Sequence, residues 1–204
     1  MNLPNTLSLS RIAVMPLFVA LLLIPQSFAL GSLWTAWLHA VAFVIAVAVA
    51  VTDWLDGYLA RKHGLITPLG KLLDPLADKV FVAGALIVLS ELRLIPAWAV
   101  IIVIAREFLV TGLRSVAVER GVVIAADRLG KHKTGWQLAL VLCAIFVSAV
   151  KAGLEAAGSW DAIRADYAGG LIAGLLIWVP LIMTLILTIA SGWNYLAANR
   201  DVLR

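Results

Sequence analysis

The sequence is poor in charged residues and in cysteine. Only 14% of its 204 residues are Asp, Glu, Lys or Arg, whereas 63% are hydrophobic. This composition excludes an ordinary soluble globular protein and indicates an integral membrane protein. The one cysteine, Cys143, lies inside an apolar run, so an internal disulfide is excluded and we expect its thiol to pack in a helix interface.

Six apolar runs are long enough to cross a membrane, because about 20 residues of helix span a hydrocarbon core of about 30 Å. All six are predicted to be α-helices. The runs lack the alternating pattern of barrel strands, and lipid offers no hydrogen-bond partners to unpaired backbone N–H and C=O groups. The predicted spans are 9–25, 34–59, 69–89, 95–118, 135–152 and 169–193. A short N-terminal interfacial segment, capped by Asn5 or Ser8, should precede them. No repeat or linker divides the chain, which we interpret as one all-α integral membrane domain, 1–204.

Lys and Arg residues are concentrated on one side of these spans. The termini, the 59–69 and 119–134 connections and the adjoining helix ends hold all of them except Arg93, Lys151 and Arg164. Because Lys and Arg are enriched in cytoplasmic loops, both termini should be cytoplasmic. The net charge of +4 fits contact with membrane lipids and phosphorylated substrates, and we expect no nucleic-acid partner.

Four carboxylates lie at the predicted cytoplasmic ends of the second and third spans. They are Asp53, Asp56, Asp74 and Asp78. Spacings of three and four residues place each pair on one helix face. Because an ionisable group inside a membrane helix costs about 3 kcal/mol on insertion scales, four of them favour a bound cation. Converging carboxylate oxygens suit Mg²⁺ or Mn²⁺, and the small residues Gly57 and Ala60 leave the first face open to a ligand.

Two other interpretations of the carboxylates remain open at this point. They could be solvated charges at helix ends, paired with neighbouring Lys and Arg residues, or they could mark the pathway of a membrane cation carrier. Carrier sites tend to lie near the membrane midplane in broken helices, whereas these carboxylates lie at one end of their spans. The position of the carboxylates at the helix ends therefore favours a metal-dependent enzyme over a cation carrier.

The segment from Asp53 to Asp78 matches D-x2-D-G-x2-A-R-x8-G-x3-D-x3-D at every fixed position. This pattern resembles the hallmark of the CDP-alcohol phosphatidyltransferase family. The resemblance implies six transmembrane helices, an active site at the cytoplasmic ends of helices 2 and 3, and a homodimer, and we expect a bacterial inner-membrane protein. It also implies that an alcohol attacks the β-phosphate of a CDP-linked lipid and that CMP leaves.

The same resemblance assigns roles to individual residues. Asp53, Asp56 and Asp74 would hold a first Mg²⁺ or Mn²⁺ ion, with Asp53, Asp74 and Asp78 near a second. Asp78 would also be the general base that takes the proton of the attacking hydroxyl. The CDP-diacylglycerol-binding residues would be Gly57, Ala60, Arg61 and Thr67, with Asn5 and Ser8 as weaker candidates.

Basic residues in the second half of the chain indicate which kind of alcohol accepts the phosphatidyl group. Arg106 and Arg114 lie about two turns apart on the fourth span, and Lys131 and Lys133 follow in the next connection. Because Arg binds phosphate oxygens in pairs, this cluster predicts a phosphate-bearing acceptor, although Lys133 fits an ordinary cytoplasmic surface charge equally well. The Arg-Glu, Leu-Arg, Val-Ile-Ala-Ala and Gly-Lys-x-Lys-Thr elements resemble the family branch that uses sn-glycerol 3-phosphate. Inositol phosphate, phosphatidylglycerol and serine remain alternative acceptors.

Overall fold

The computed structural model describes residues 3–63, 68–120, 128–165 and 167–198, with side chains at 9–53, 79–120, 130, 132–161, 163 and 169–198. The described residues form helices and no strand, which confirms the all-α prediction. The helices are α1 Leu3–Ser27, α2 Ser32–His63, α3 Pro68–Glu91, α4 Ala97–Glu119, α5 Arg128–Ala156, α6 Trp160–Ala165 and α7 Tyr167–Ala198. Proline marks two of the helix starts, as the first residue of α3 and directly before α4, where its missing N–H removes no helical hydrogen bond.

Four stretches of these helices are long and apolar enough to cross a membrane. They are Leu9–Ser27, Ser32–Asp53, His132–Ala156 and Gly169–Ala198. The protein is therefore a multi-pass membrane protein. Helices α3 and α4 have 24 and 23 residues, and α4 carries Arg106, Glu107 and Arg114 within its length.

The structure corrects two details of the predicted element boundaries. Helix α1 begins at Leu3, so a cap at Asn5 or Ser8 is wrong, and the N-terminal segment is the first part of α1 rather than a separate element. Pro4 is compatible with this early start because the first turn of a helix needs no donor there. Helix α5 begins at Arg128, so Lys131 and Lys133 lie on a helix and not in a loop. Lys is a good helix former, which explains the earlier start.

A short helix that the hydrophobic pattern did not predict follows α5. Gly158 adopts the left-handed conformation (φ 68°) after α5 ends, which turns the chain toward α6. Because a side chain would strain this conformation, glycine suits the position.

The core forms where α1, α3 and α5 meet. Phe18 and Leu22 of α1 are fully buried, and the Phe18 ring centroid lies 5.2 Å from that of Phe81 on α3. Leu140 and Ile145 add the apolar face of α5 to the same cluster. Helix α5 also packs against α2 and α7, and α4 packs against α3 and α7. The last of these interfaces positions the charged residues of α4.

His39 is a buried polar group in the apolar part of α2. One ring nitrogen lies 2.9 Å from Ser148 Oγ on α5, and the other lies 3.2 Å from the Leu22 carbonyl oxygen on α1. A polar group buried in lipid-facing structure needs such partners. His39 therefore joins three helices, which accounts for its place without a chemical role.

Candidate active site

Asp53 lies on α2 at the end of its apolar stretch, and its carboxylate is half-exposed. Arg11 on α1, which is only 4% exposed, donates from Nη1 to Asp53 Oδ1. A nearly buried guanidinium requires a counter-charge, and Asp53 provides one at this end of α1. The pair therefore ties α1 to the helix that begins the aspartate motif, while half of the carboxylate surface stays open to solvent and ions.

Three of the four predicted metal ligands have side chains outside the described residues. Asp56 lies on α2, and Asp74 and Asp78 lie on α3. Only residues 64–67 separate the two helices, and a chain of this length spans at most about 18 Å. The short connection permits the two pairs of carboxylates to approach each other, and their convergence stays a prediction.

The chemistry of this donor set fits a divalent metal ion. Hard cations such as Mg²⁺ take carboxylate oxygens, and Asp53 offers an accessible one. Among the side chains that the structure describes, no three His, Cys, Asp or Glu residues come together. That finding covers Asp53 alone of the four, so the metal site stays a prediction.

The predicted CDP-binding residues also fall largely outside the described part of the chain. Gly57, Ala60 and Arg61 belong to α2, but their side chains are not among those described. Asn5 and Ser8 belong to α1, and their side chains are also not among those described. Thr67 lies wholly outside the described residues. Their roles stay predictions.

Lys79 connects the aspartate motif to α4. This residue directly follows Asp78 on α3, and its Nζ donates to Thr111 Oγ1 on α4. Thr111 Oγ1 donates in turn to the Glu107 carbonyl oxygen one turn earlier, at 2.7 Å. The turn of α3 that carries the predicted base therefore lies against the part of α4 that carries the predicted acceptor-binding arginines.

Both of these arginines face α7. Arg106 Nη2 donates to Ser191 Oγ at 2.9 Å, and Arg114 Nε donates to the Tyr195 hydroxyl at 3.0 Å. The Arg114 guanidinium carbon also lies 5.7 Å from the Tyr195 ring centroid, within range of a cation–π interaction. Gly192 permits this approach, because a Cβ atom there would lie 3.2 Å from Arg106 Cγ.

Lys133 joins the same group of charges from α5. It is 4% exposed and forms an ion pair with Glu107 Oε1. The same carboxylate oxygen lies 3.6 Å from Arg106 Nη1. The interpretation of Lys133 as an ordinary surface charge is therefore wrong, because its charge is buried between helices. The Lys131 side chain lies outside the described residues.

Four functional candidates in this region escaped prediction from the sequence: Arg11, Glu107, Ser191 and Tyr195. Glu107 had a usable signal, since an acidic residue inside an apolar helix needs a partner. Ser191 and Tyr195 also had one, because they continue a line of polar residues along one face of α7 that begins at Thr184 and Thr188. No local signal pairs these residues with α4, whose arginines are more than 80 positions away.

Comparison with known proteins assigns the chain to a family. The family model described as CDP-alcohol phosphatidyltransferase matches residues 1–190, which include the whole aspartate motif. The chain belongs to the CDP-alcohol phosphatidyltransferase family. The matched region ends just before Ser191, so the two α7 residues that contact the arginines lie beyond it.

Relatives in several bacteria carry similar names. A Bacillus subtilis protein named CDP-diacylglycerol–glycerol-3-phosphate 3-phosphatidyltransferase is 38% identical over 206 residues, covering 100% of this chain and 97% of that protein. A Rickettsia typhi protein of the same name is 34% identical, covering 97% and 96% of the two chains. A Mycobacterium tuberculosis protein named probable phosphatidylglycerophosphate synthase is 34% identical, covering 98% and 83%. The similarity to these family members extends over essentially the whole chain.

Proposed function

We propose that this family member transfers the phosphatidyl group of CDP-diacylglycerol to sn-glycerol 3-phosphate, giving phosphatidylglycerophosphate and CMP. One structural observation carries the choice of a phosphorylated acceptor. Arg106, Arg114 and Lys133 gather where α4, α5 and α7 meet, and the Lys79–Thr111 contact brings α4 against the turn of α3 that carries Asp78. The names of full-length relatives support the same acceptor.

In the proposed reaction, the free hydroxyl oxygen of the acceptor forms a bond to the β-phosphorus of the donor. The bond from that phosphorus to the bridging oxygen breaks, and CMP leaves with the bridging electron pair. Asp78 takes the proton of the hydroxyl as general base. Two Mg²⁺ or Mn²⁺ ions, held by Asp53, Asp56, Asp74 and Asp78, would supply charge neutralisation of the diphosphate.

The donor and acceptor would be held by different parts of the chain. Gly57, Ala60, Arg61 and Thr67, with Asn5 and Ser8, would contact the CDP part of CDP-diacylglycerol. Arg106, Arg114 and Lys133, together with Lys131, would bind the phosphate of the acceptor. Arginine suits this role because its planar fork of donors matches two phosphate oxygens at once.

The proposal includes six spans with a cytoplasmic active site in the inner membrane. Helices α3 and α4 are about 35 Å long at 1.5 Å per residue, enough to cross the hydrocarbon core. The buried charges of α4 are paired, which lowers the cost of placing them in a span. Both termini would then be cytoplasmic, and the family resemblance adds a homodimer, which the mass of the purified protein in detergent would test.

Orientation can be tested with a single-cysteine series. Cys143 is the one cysteine, so Cys143→Ala gives a cysteine-free background. In spheroplasts, a membrane-impermeant maleimide should label Ser159→Cys, on the proposed periplasmic side, and not Arg120→Cys. The reverse pattern would contradict the cytoplasmic assignment of the active site.

The reaction is tested by measuring the CMP released when purified protein is given CDP-diacylglycerol, Mg²⁺ and an acceptor. The acceptors to compare are sn-glycerol 3-phosphate, glycerol, inositol 1-phosphate, serine and phosphatidylglycerol. We expect release with sn-glycerol 3-phosphate alone. Release with a different acceptor would overturn the acceptor assignment and leave the aspartate chemistry in place, whereas no release with any acceptor would favour a cation carrier, which produces no CMP.

A further inference from the structure

Glu107 lies between two of the proposed acceptor-binding cations. Its Oε1 pairs with Lys133 Nζ on α5 and lies 3.6 Å from Arg106 Nη1 on its own helix. We propose that Glu107 is a positioning residue that holds Arg106 and Lys133 in place for the acceptor phosphate. The inference rests on the proposed function, because it assumes that these cations bind the acceptor.

The burial of the three side chains explains why the carboxylate is needed. Lys133, Arg106 and Glu107 are 4%, 12% and 24% exposed, respectively. A charge removed from water is costly unless an opposite charge contacts it, and two neighbouring cations also repel each other. Without Glu107, the Lys133 ammonium and the Arg106 guanidinium would lose the carboxylate that lies against both of them, and their mutual repulsion would displace them from the positions proposed to bind phosphate.

Glu107 also fixes the relative position of helices. Arg106 already reaches α7 through Ser191 Oγ at 2.9 Å. The ion pair between Glu107 and Lys133 adds α5, so the neighbouring residues Arg106 and Glu107 of α4 contact both α7 and α5.

The charge of the described cluster fits a phosphate monoester. Three cations, Arg106, Arg114 and Lys133, less the single charge of Glu107, leave a net charge of +2. A phosphate monoester carries about −1.5 to −2 at pH 7. Among the described side chains, Glu107 therefore lowers the summed charge of this cluster from +3 to +2.

Glu107→Gln tests the proposal, with Glu119→Gln as the matched control. Both substitutions remove one negative charge from α4, but Glu119 is exposed at the last residue of the helix. Steady-state CMP release would be measured while sn-glycerol 3-phosphate and CDP-diacylglycerol are varied separately. We expect Glu107→Gln to raise the KM for the acceptor at least tenfold and to leave the KM for CDP-diacylglycerol within twofold. The control should change neither.

A second variant separates positioning from folding. Glu107→Asp keeps the charge but withdraws it by one methylene group, so its acceptor KM should fall between those of wild type and Glu107→Gln. Should Glu107→Gln not fold, as judged by thermal unfolding in detergent, Glu107→Asp decides alone. A rise of threefold or more in acceptor KM then supports the proposal, and a wild-type KM overturns it.

The remaining outcomes separate this proposal from the proposed function. An unchanged acceptor KM in folded Glu107→Gln would overturn the positioning role. A lowered KM would also overturn it, because the carboxylate would then be competing with the phosphate for its cations. If the wild-type protein releases no CMP with sn-glycerol 3-phosphate, the proposed function itself fails, and that result is visible before any variant is compared.

Discussion

Replacing Ser191 with alanine removes the hydrogen bond that this residue of α7 accepts from Arg106. Ser191 is fully buried, and its Oγ accepts a hydrogen bond from Arg106 Nη2 at 2.9 Å. The same Oγ donates to the Thr188 carbonyl oxygen at 3.3 Å, so the hydroxyl is aligned by its own helix. Because alanine is smaller by one oxygen atom, the substitution should leave the helix packing intact and release one side of the guanidinium.

The size of the effect follows from the charge and burial of Arg106. A hydrogen bond to a charged group contributes about 1.5–3 kcal/mol, and about 1.4 kcal/mol corresponds to a factor of ten. Arg106 keeps its interaction with Glu107, at 3.6 Å from Nη1, which favours the lower end of that range. We therefore expect the KM for sn-glycerol 3-phosphate to rise about tenfold.

The assay is CMP release at saturating CDP-diacylglycerol, with the acceptor varied. Ser115→Ala is the matched control, since Ser115 is exposed on α4 and donates only to the Thr111 carbonyl oxygen in its own helix. The control should keep the wild-type KM. The reasoning would be refuted if Ser191→Ala unfolded at the wild-type temperature and also kept the wild-type KM, because the position of Arg106 would then not depend on its hydrogen bond to Ser191.

Three further substitutions probe other contacts. Tyr195→Phe removes the hydroxyl that accepts from Arg114 but keeps the ring, so the acceptor KM should rise about threefold, and an equal KM would show that the cation–π contact suffices. Asp78→Asn should lower the turnover for CMP release at least about a hundredfold, and near-normal turnover with metal bound would show that the assigned base is wrong. Gly84→Ala would place a Cβ atom 2.1 Å from Met15 Cε, the mobile end of that side chain, so Met15 should move aside and the gain of about 1 kcal/mol in helix propensity should offset the packing cost. The unfolding temperature in detergent and the turnover should both stay near those of wild type, and a large drop in unfolding temperature would show that Met15 has no room to move.

Elements of this fold were predictable where the hydrophobic pattern is continuous. The long helices coincide with the apolar runs to within a few residues over most of the chain, because lipid leaves a helix as the simplest solution for an apolar backbone. Errors occurred where composition changes gradually. The polar start of α1 reads as a separate interfacial segment and the basic start of α5 as a connection, yet both continue the helix that follows. Backbone hydrogen bonding extends past the end of an apolar run.

The site could be predicted from the sequence only as far as its residues follow a local pattern. The carboxylate spacing from Asp53 to Asp78 identifies the motif within one stretch of chain, and Arg106 and Arg114 stand out as cations in an apolar helix. The partners of those cations come from α7 and α5, and helix packing alone decides which residues meet. Because α4, α5 and α7 are all largely apolar, no local sequence pattern shows which of their polar residues will contact one another.

The most direct test of the proposed reaction is the identity of its lipid product. Purified protein in liposomes would be given CDP-diacylglycerol, Mg²⁺ and isotopically labelled sn-glycerol 3-phosphate, and the lipids would be analysed by mass spectrometry. The proposal predicts labelled phosphatidylglycerophosphate in equal amount to the CMP released, and none without Mg²⁺ or Mn²⁺. CMP release without a labelled lipid, or no CMP at all, would contradict it.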